Sequence, residues 1–266
     1  MNIHPTAIID PAAELDSSVT VGPYVIIEKG VRIGRDTIIK PHSVVSGPTS
    51  IGSGNIIGPF ATVGAPPQDL KYKGEDTELN VGDNNQIREY VSIHRGTVTD
   101  RGVTTIGSGN LLMAYVHIAH DCIIGNSAIL ANAATLAGHV EVEDHAIIGG
   151  LVAVHQFSRI GAYSYIGGLS GISRDVPPFV IVSGIRKQMR VSGINKIGLR
   201  RHGFDKETLK KLDKAYRIIF MTPDILLQDA LKQAANEITD CEPVNQLITF
   251  FRNSKQGVIR TLESSV

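Results

Sequence analysis

Large aliphatic residues recur every six positions along most of the chain. The series runs unbroken from Ile3 to Val63, resumes from Val81 to Ile93, and continues from Ile106 to Ile172, which places 26 aliphatic residues in one register. A helix repeats its apolar face about every 3.6 residues and a half-buried strand every second residue, so neither element explains this spacing. A parallel β-helix explains it, because three hexads, each a short strand and a turn, close one triangular coil.

The repeat therefore predicts an all-β solenoid over residues 1–185. At three hexads per coil, 26 hexads make between eight and nine coils, which stand about 40 Å tall at roughly 4.8 Å per coil. Glycine and proline are expected where the coil bends, for example at Gly34 and Pro41. Two insertions, residues 69–80 and 99–105, break the count and are predicted to be loops leaving the coil.

Beyond Pro177-Pro178 the pattern changes to amphipathic helices, so residues 186–266 are predicted to form a small all-α domain. Thr222 and Pro223 are interpreted as the cap and first position of the second helix. The three apolar stripes expected to face its core are Leu209, Leu212, Tyr216 and Ile219; Leu226, Ala230, Leu231 and Ala234; and Val244, Leu247, Ile248 and Phe251.

Residues three hexads apart stack on successive coils once the insertions are subtracted. His120, Gly138 and Gln156 form one such column, whereas His145 falls on another face. Both insertions leave from the edge that carries this column. The histidines predicted to gather there, beside Asp121, are His94, His117, His120, His139 and His155.

Three interpretations of this histidine cluster remain open on the residues alone. A catalytic zinc site needs three ligands and an open position, as in β-helical enzymes of the carbonic anhydrase type. A general base needs one imidazole and an orienting group. A solvated surface without chemistry needs neither.

Composition narrows the class of protein and its compartment. The formal net charge of zero argues against nucleic acid as a partner of the whole protein. Cys122 and Cys241 are too few for a disulfide framework, which favours a reducing compartment. No stretch reaches the roughly 18 apolar residues of a membrane span, and no leader-like segment opens the chain. We therefore expect a cytoplasmic protein without an integral membrane segment.

Charge is distributed unevenly along this neutral chain. Residues 186–217 contain eleven Lys or Arg against three acids, whereas residues 1–185 contain eleven against seventeen. A basic region where solenoid and helices meet suits an acidic partner or a phosphorylated ligand.

Five short strings resemble the UDP-N-acetylglucosamine O-acyltransferase family of hexapeptide-repeat acyltransferases. They are Gln68–Tyr72, Ile93–Thr97, His117–Cys122, Ala137–Val140 and Ala153–Phe157, and the resemblance extends over the helical tail. It implies a left-handed β-helix, a homotrimer with active sites between subunits, and no metal or other cofactor. The implied donor is a 3-hydroxyacyl group on the phosphopantetheine of acyl carrier protein, and the implied acceptor is UDP-N-acetylglucosamine, in the first step of lipid A biosynthesis.

The same resemblance implies roles for individual residues. His120 matches the general base, Asp121 the group that orients it, and the N–H of Gly138 the oxyanion donor. Gly168 matches the end of the acyl groove, where a small residue goes with a long chain. The remaining implied substrate-binding residues are Asp69, Lys71, His117, His139, His155 and Gln156 for the sugar, phosphate and acyl region, and Asn195 and Arg201 for the nucleotide.

Rival functions make different predictions. N-acylation of a UDP-3-amino sugar, or the later N-acyltransferase of the pathway, would use the same fold with a nitrogen acceptor. A β-helical carbonic anhydrase would require zinc. A scaffold subunit binding a partner along the basic region would tolerate loss of His120.

Overall fold

A computed structural model of the chain describes residues 2–185 and 188–260. Very short parallel strands in three sheets wrap into a left-handed parallel β-helix followed by a helical region, which confirms the predicted fold class. Up to Ile172, each strand pairs with the strand three hexads away, for example Ile118 with Leu136. The register obtained by counting hexads is therefore the register of the molecule.

The strands within the described residues fall into sheets of eleven, nine and eight members. The first sheet contains β1 Asn2–Ile3, β4 Thr20–Val21, β7 Ile38–Ile39, β10 Ile56–Ile57, β13 Gln86–Ile87, β16 Leu111–Leu112, β19 Ile129–Leu130, β22 Ile147–Ile148, β25 Tyr165–Ile166, β27 Val180–Ser183 and β28 Arg190–Ile194. The second contains β2 Ile8–Ile9, β5 Ile26–Ile27, β8 Val44–Val45, β11 Thr62–Ala65, β14 Ser92–His94, β17 His117–Ile118, β20 Thr135–Leu136, β23 Ala153–Val154 and β26 Gly171–Ile172. The third contains β3 Glu14–Leu15, β6 Val31–Ile33, β9 Thr49–Ile51, β12 Glu78–Val81, β15 Val103–Ile106, β18 Ile123–Ile124, β21 Glu141–Val142 and β24 Arg159–Ile160.

The repeated aliphatic of each hexad points into the prism. From Val21 to Ile172 these residues are buried, and Ile118, Leu130 and Leu136 are fully so. Burying an aliphatic side chain contributes about 1.5–3 kcal/mol. Between Val21 and Ile172 the inside of the prism is thus a stack of aliphatic side chains, consistent with the absence of Trp from the chain.

Three corners join the sheets. Corner 1 joins the first sheet to the second and includes Gly168, corner 2 joins the second to the third and includes His120 and Asp121, and corner 3 joins the third to the first and includes His145. The left-handed position in most of these turns is occupied by a residue other than glycine, such as Asp121 at φ 59°.

Gly34 serves a different purpose from the one expected. A Cβ on Gly34 would lie 2.7 Å from the carbonyl carbon of Gly52 on the next coil. Glycine is therefore required here because the coils approach closely, and not because the turn demands a positive φ.

Both predicted loops leave the helix at corner 2, as expected, but their ends differ from the prediction. The first excursion covers residues 66–77 and the second covers residues 95–102, because β12 begins at Glu78 and β15 at Val103. These strands start early because they pair with each other from Glu78 and Val103 onward. The predicted boundaries 69–80 and 99–105 are therefore wrong, because each predicted loop ends inside a strand.

The C-terminal region begins with a strand and not with a helix. β28 pairs antiparallel with β27, so the helices start at Lys196, ten residues after the predicted domain boundary at 186. The helices are α1 Lys196–Arg201, α2 Lys206–Tyr216, α3 Leu227–Glu237 and α4 Glu242–Asn253, with a π-helical segment Arg217–Met221 continuing α2. Residues 186, 187 and 261–266 of the predicted domain lie outside the described residues.

The apolar stripes of these helices are buried as predicted, with one exception. Leu226 is exposed because it precedes the first residue of α3. Thr222 and Pro223 do not begin this helix, since a turn in which Asp224 has a φ of 57° lies between them and Leu227. No helix in the described part of the chain is long and apolar enough to cross a membrane.

Candidate active site

His120 and Asp121 form a hydrogen-bonded pair at corner 2. His120 directly follows the residue after β17, and its Nδ1 lies 2.8 Å from Oδ2 of Asp121, whose side chain is fully buried. An ionised carboxylate can only accept a hydrogen bond, so Nδ1 is the donor. In the neutral form of this ring, Nε2 then carries the lone pair and can accept a proton.

The second excursion holds the carboxylate of Asp121 in place. The Thr97 backbone N–H donates to Oδ1 at 2.9 Å, and its hydroxyl donates to Oδ2 at 2.6 Å. From the other side, the Asp121 N–H donates to the hydroxyl of Thr104. Asp121 is therefore ordered by Thr97 and Thr104, both on the preceding coil, which in turn orders His120.

Gly138 lies against the imidazole of His120, one coil further along the helix. A Cβ at this position would lie 2.5 Å from Cε1 and 2.7 Å from Nε2 of His120. Within the described residues, no oxygen accepts a hydrogen bond from the Gly138 N–H. The equivalent position at corner 1 is occupied by proline in two coils, at Pro23 and Pro41. Proline has no backbone N–H, so the coil does not need a hydrogen bond from this position. The Gly138 N–H is thus available beside the base.

His139 bridges the dyad and the second excursion. Its Nδ1 lies 2.9 Å from Oδ2 of Asp100, and its Nε2 lies 3.9 Å from Oδ2 of Asp121. One face of its ring stacks on Phe157 at 4.4 Å, and it meets the His120 ring edge-on at 5.0 Å. The predicted proximity of these two histidines is therefore observed.

His94 and His117 form a second pair on the adjacent part of the second sheet. Their rings meet edge-on at 4.8 Å, and Nδ1 of His117 is hydrogen-bonded to the Ser92 hydroxyl at 2.8 Å. Burial lowers the pKa of His94 to about 4, and the nearby His117, His120 and Arg95 act in the same direction. Burial also lowers the pKa of His117, with His120 adding a smaller effect. Both rings are consequently neutral at pH 7.

His155 and Gln156 lie on the coil above and are exposed. Val154 pairs with Leu136, so His155 continues the column of His94, while Nδ1 of His155 is hydrogen-bonded to the Gln156 carbonyl. These two side chains share the edge with the dyad but make no ring contact with it among the described residues.

The first excursion carries Asp69 and Lys71 beside the same corner. The Asp69 carboxylate accepts a hydrogen bond from the Lys71 N–H at 2.9 Å, which forms a tight turn. The buried Arg95 fastens this excursion, because its guanidinium donates to the carbonyls of Gly47 and Gly64 and to the hydroxyl of Tyr72. Both excursions are therefore anchored at their bases.

The other predicted residues lie elsewhere on the prism. Gly168 is exposed at corner 1. Asn195 caps α1 by accepting from the Gly198 N–H, and its amide donates to the Tyr163 carbonyl near corner 3. Arg201 is exposed at the end of α1. A single chain does not bring these residues to His120.

His120, Asp121 and His139 offer ligand atoms within 4.8 Å of one another, so a divalent ion could be accommodated. Against this, both oxygens of Asp121 already accept hydrogen bonds from Thr97, and one also accepts from His120. The donor set fits a hydrogen-bonded dyad better than a metal site.

Sequence reasoning missed three residues that shape this site: Ser92, Thr97 and Asp100. Thr97 and Asp100 lie in the second excursion, where no hexad count gives a position. Ser92 pairs with His117 in the strand register, so counting hexads could have located it beside that histidine.

Two family models match the chain. The hexapeptide-repeat model of bacterial transferases (six repeats) matches residues 30–65 and 103–138, and the model described as UDP N-acetylglucosamine O-acyltransferase, domain 2, matches residues 175–259. The fold and the site thus define a hexapeptide-repeat acyltransferase with a helical C-terminal domain.

Relatives narrow the class further. An acyl-[acyl-carrier-protein]–UDP-N-acetylglucosamine O-acyltransferase from Alkalilimnicola ehrlichii is 54% identical over 258 residues, covering 97% of this chain and 99% of that protein. The crystal structure of a UDP-N-acetylglucosamine O-acyltransferase from Moraxella catarrhalis is 47% identical with a TM-score of 0.93, covering 98% of this chain and 100% of that one. The structure of LpxA from Acinetobacter baumannii is 47% identical in sequence with a TM-score of 0.92, and the match covers 97% of this chain and 99% of that one. The chain belongs to the UDP-N-acetylglucosamine O-acyltransferase family.

Proposed function

We propose that the protein transfers a long-chain (R)-3-hydroxyacyl group from acyl carrier protein to the 3-hydroxyl of UDP-N-acetylglucosamine, the first step of lipid A biosynthesis. The observation that carries this proposal is the His120–Asp121 pair, with the free Nε2 of His120 against the backbone of Gly138. The names and near-complete coverage of the relatives support the choice of donor and acceptor.

In the proposed reaction, Nε2 of His120 removes the proton of the sugar 3-hydroxyl as that oxygen attacks the thioester carbonyl. The resulting oxyanion accepts a hydrogen bond from the Gly138 N–H, a donor of the kind whose loss costs about 10²–10³ in rate. The intermediate then collapses, the C–S bond breaks, and the thiolate of the carrier takes the proton from His120. Asp121 keeps the imidazole in the required tautomer and stabilises its protonated form.

Positioning of the substrates follows from the surrounding groups. Asp69 and Lys71 are proposed to contact the sugar. The residues proposed to line the sugar, phosphate and acyl region are His117, His139, His155 and Gln156. Asn195 and Arg201 are proposed to contact the nucleotide. The carboxamide of Asn195 is already engaged at the start of α1, so Arg201 is expected to provide the stronger nucleotide contact.

We propose that the active protein is a homotrimer with sites between subunits. The support is geometric. The residues matched to catalysis lie at corner 2, the residue matched to the acyl groove lies at corner 1, and the residues matched to the nucleotide lie near corner 3. One chain cannot join these corners, whereas neighbouring copies with parallel axes can bring one copy's corner 2 against another corner of the next.

The exposed cations of the C-terminal region are the proposed docking surface for acyl carrier protein. Besides Arg201, which is assigned to the nucleotide, Arg200, Lys206 and Lys210 make no ion pair within the described residues, although other cations of the region do. Arg186 and Lys187, also counted in the basic region, lie outside the described residues. An acidic carrier would find three uncompensated positive charges here.

Three further proposals concern conditions and specificity. Catalysis is proposed to proceed without a metal, since Asp121 is committed to Thr97 and His120. A cytoplasmic location is supported by two free, buried cysteines. The exposed, side-chain-free Gly168 favours a long acyl chain.

One experiment tests the reaction and its rivals. Purified protein is incubated with UDP-N-acetylglucosamine and a series of 3-hydroxyacyl carrier proteins, and the product is identified by mass spectrometry and alkaline hydrolysis. We expect an alkali-labile ester at the 3-position, preference for long chains, and loss of turnover in His120→Ala. An alkali-stable amide formed only from a 3-amino sugar would favour the nitrogen acceptor, whereas zinc-dependent hydration of CO₂ or turnover unaffected in His120→Ala would reject the proposal.

A further inference from the structure

We propose that Asp100, at the tip of the second excursion, is a positioning residue for substrate binding that acts through His139. This inference rests on the proposed function, because it assigns His139 to the site where the nucleotide sugar binds. It adds a residue that lies outside the repeat and outside the dyad.

The excursion is folded so that its tip points back at the site. The Thr97 carbonyl accepts hydrogen bonds from the N–H groups of Asp100 and Gly102, which closes the chain into a compact turn. At the start of the excursion, Gly96 packs so closely on the returning strand that a Cβ would meet the Val103 backbone. The same Thr97 binds the carboxylate of Asp121 with its own N–H and hydroxyl. The position of Asp100 is therefore tied to the catalytic pair by two hydrogen bonds.

The Asp100 carboxylate is the hydrogen-bond acceptor that places the ring hydrogen of His139 on Nδ1. Because a carboxylate cannot donate, the 2.9 Å contact requires the hydrogen on Nδ1. The ring is then held in its plane by Phe157 on one face. With Nδ1 engaged and the plane fixed, Nε2 of His139 is aimed toward Asp121 and the groove beside His120.

The two imidazoles are therefore oriented by two different carboxylates. Asp121, fully buried, serves His120, whereas Asp100, about two-fifths exposed, serves His139. Without Asp100 the His139 ring could exchange its hydrogen between the two nitrogens and rotate. Such freedom weakens the binding of a polar substrate group that needs one defined hydrogen-bond partner.

The expected effect is modest and specific. A partly exposed charge-assisted contact supports a roughly fivefold rise in the KM for UDP-N-acetylglucosamine in Asp100→Ala, equivalent to about 1 kcal/mol. The kcat should remain within about twofold, since His120 and Asp121 keep their contacts. Asp100→Asn retains an acceptor without the charge and should give an intermediate KM.

The test combines a mutant cycle with a spectroscopic readout. Wild type, Asp100→Ala, His139→Ala and the double variant are assayed for kcat and KM, with Asp36→Asn as a charge-matched control on corner 3. If Asp100 acts through His139, the double variant has the KM of His139→Ala. Additive effects, an unchanged KM in Asp100→Ala, or a fall in kcat without a change in KM would each overturn the proposal.

The spectroscopic arm separates this proposal from the proposed function. Nitrogen-15 NMR of histidine-labelled protein at alkaline pH should give the Nδ1–H form for His139 in the wild type and a shift toward the Nε2–H form in Asp100→Ala. An Nε2–H ring in the wild type would overturn the positioning role even if turnover is normal. Absence of turnover with the predicted tautomer would reject the proposed reaction instead.

Discussion

The contact between Gly138 and His120 makes a strong prediction for Gly138→Ala. The added Cβ would lie 2.5 Å from Cε1 and 2.7 Å from Nε2 of His120, whereas real Cβ contacts essentially never fall below 3.0 Å. The imidazole or the coil must therefore move by at least half an ångström. Misplacement of a reacting group by about 1 Å can lower the rate about 100-fold, which corresponds to about 2.7 kcal/mol in the activation free energy.

The assay compares steady-state acyl transfer by Gly138→Ala and a matched control, Gly150→Ala. Gly150 also lies at a corner, but its added Cβ would have only an ordinary 3.4 Å contact with the Asn132 carbonyl. We expect kcat/KM to fall about 100-fold in Gly138→Ala and to stay near the wild-type value in the control, with similar Tm values for both. Wild-type activity in Gly138→Ala would refute the inferred contact between this backbone and the base.

The remaining predictions concern charge, protonation and stability. Asp121→Asn should lower kcat about 10²-fold or more, because an amide can orient His120 in the wrong tautomer; circular dichroism should be unchanged, and retained kcat would contradict this. The pKa of His94 is about 4 in the folded protein and about 6.5 in the unfolded chain, so its contribution to stability is full above pH 6.5 and falls by up to about 3 kcal/mol toward pH 4. The His94→Gln variant should flatten this pH dependence in denaturant titrations, and an unchanged pH dependence would contradict the assignment. Ser254→Ala removes a 2.6 Å hydrogen bond to the buried Asp175 and should cost about 1–2 kcal/mol in thermal unfolding with kcat unchanged.

The fold was predictable because one six-residue spacing, shared by 26 aliphatic residues, determines both the strands and their register. Counting three hexads per coil placed His120 beside Gly138, since each coil of a parallel β-helix adds a constant number of residues. The intrinsic strand propensity of the residues added little to this prediction, because most strands have only two residues and are too short to be recognised on their own.

The remainder of the site depends on tertiary contacts that have no period. Asp100 reaches His139 across 39 positions, and Thr97 reaches Asp121 across 24, through a turn whose shape the hexads do not determine. The β27–β28 hairpin was missed because its pairing follows neither hexad spacing nor a two-residue turn. Helix α1 was missed because its six residues are too few for an amphipathic pattern.

The central claim is that Nε2 of His120 removes the proton of the acceptor, and a single-turnover measurement on His120→Ala tests it most directly. Enzyme in excess over the 3-hydroxyacyl carrier protein and saturated with UDP-N-acetylglucosamine isolates the chemical step from product release. We expect the rate constant to fall by about 10²–10⁴ while nucleotide-sugar binding, measured by calorimetry, stays within a few-fold of wild type. A folded His120→Ala protein with an undiminished single-turnover rate would contradict the account.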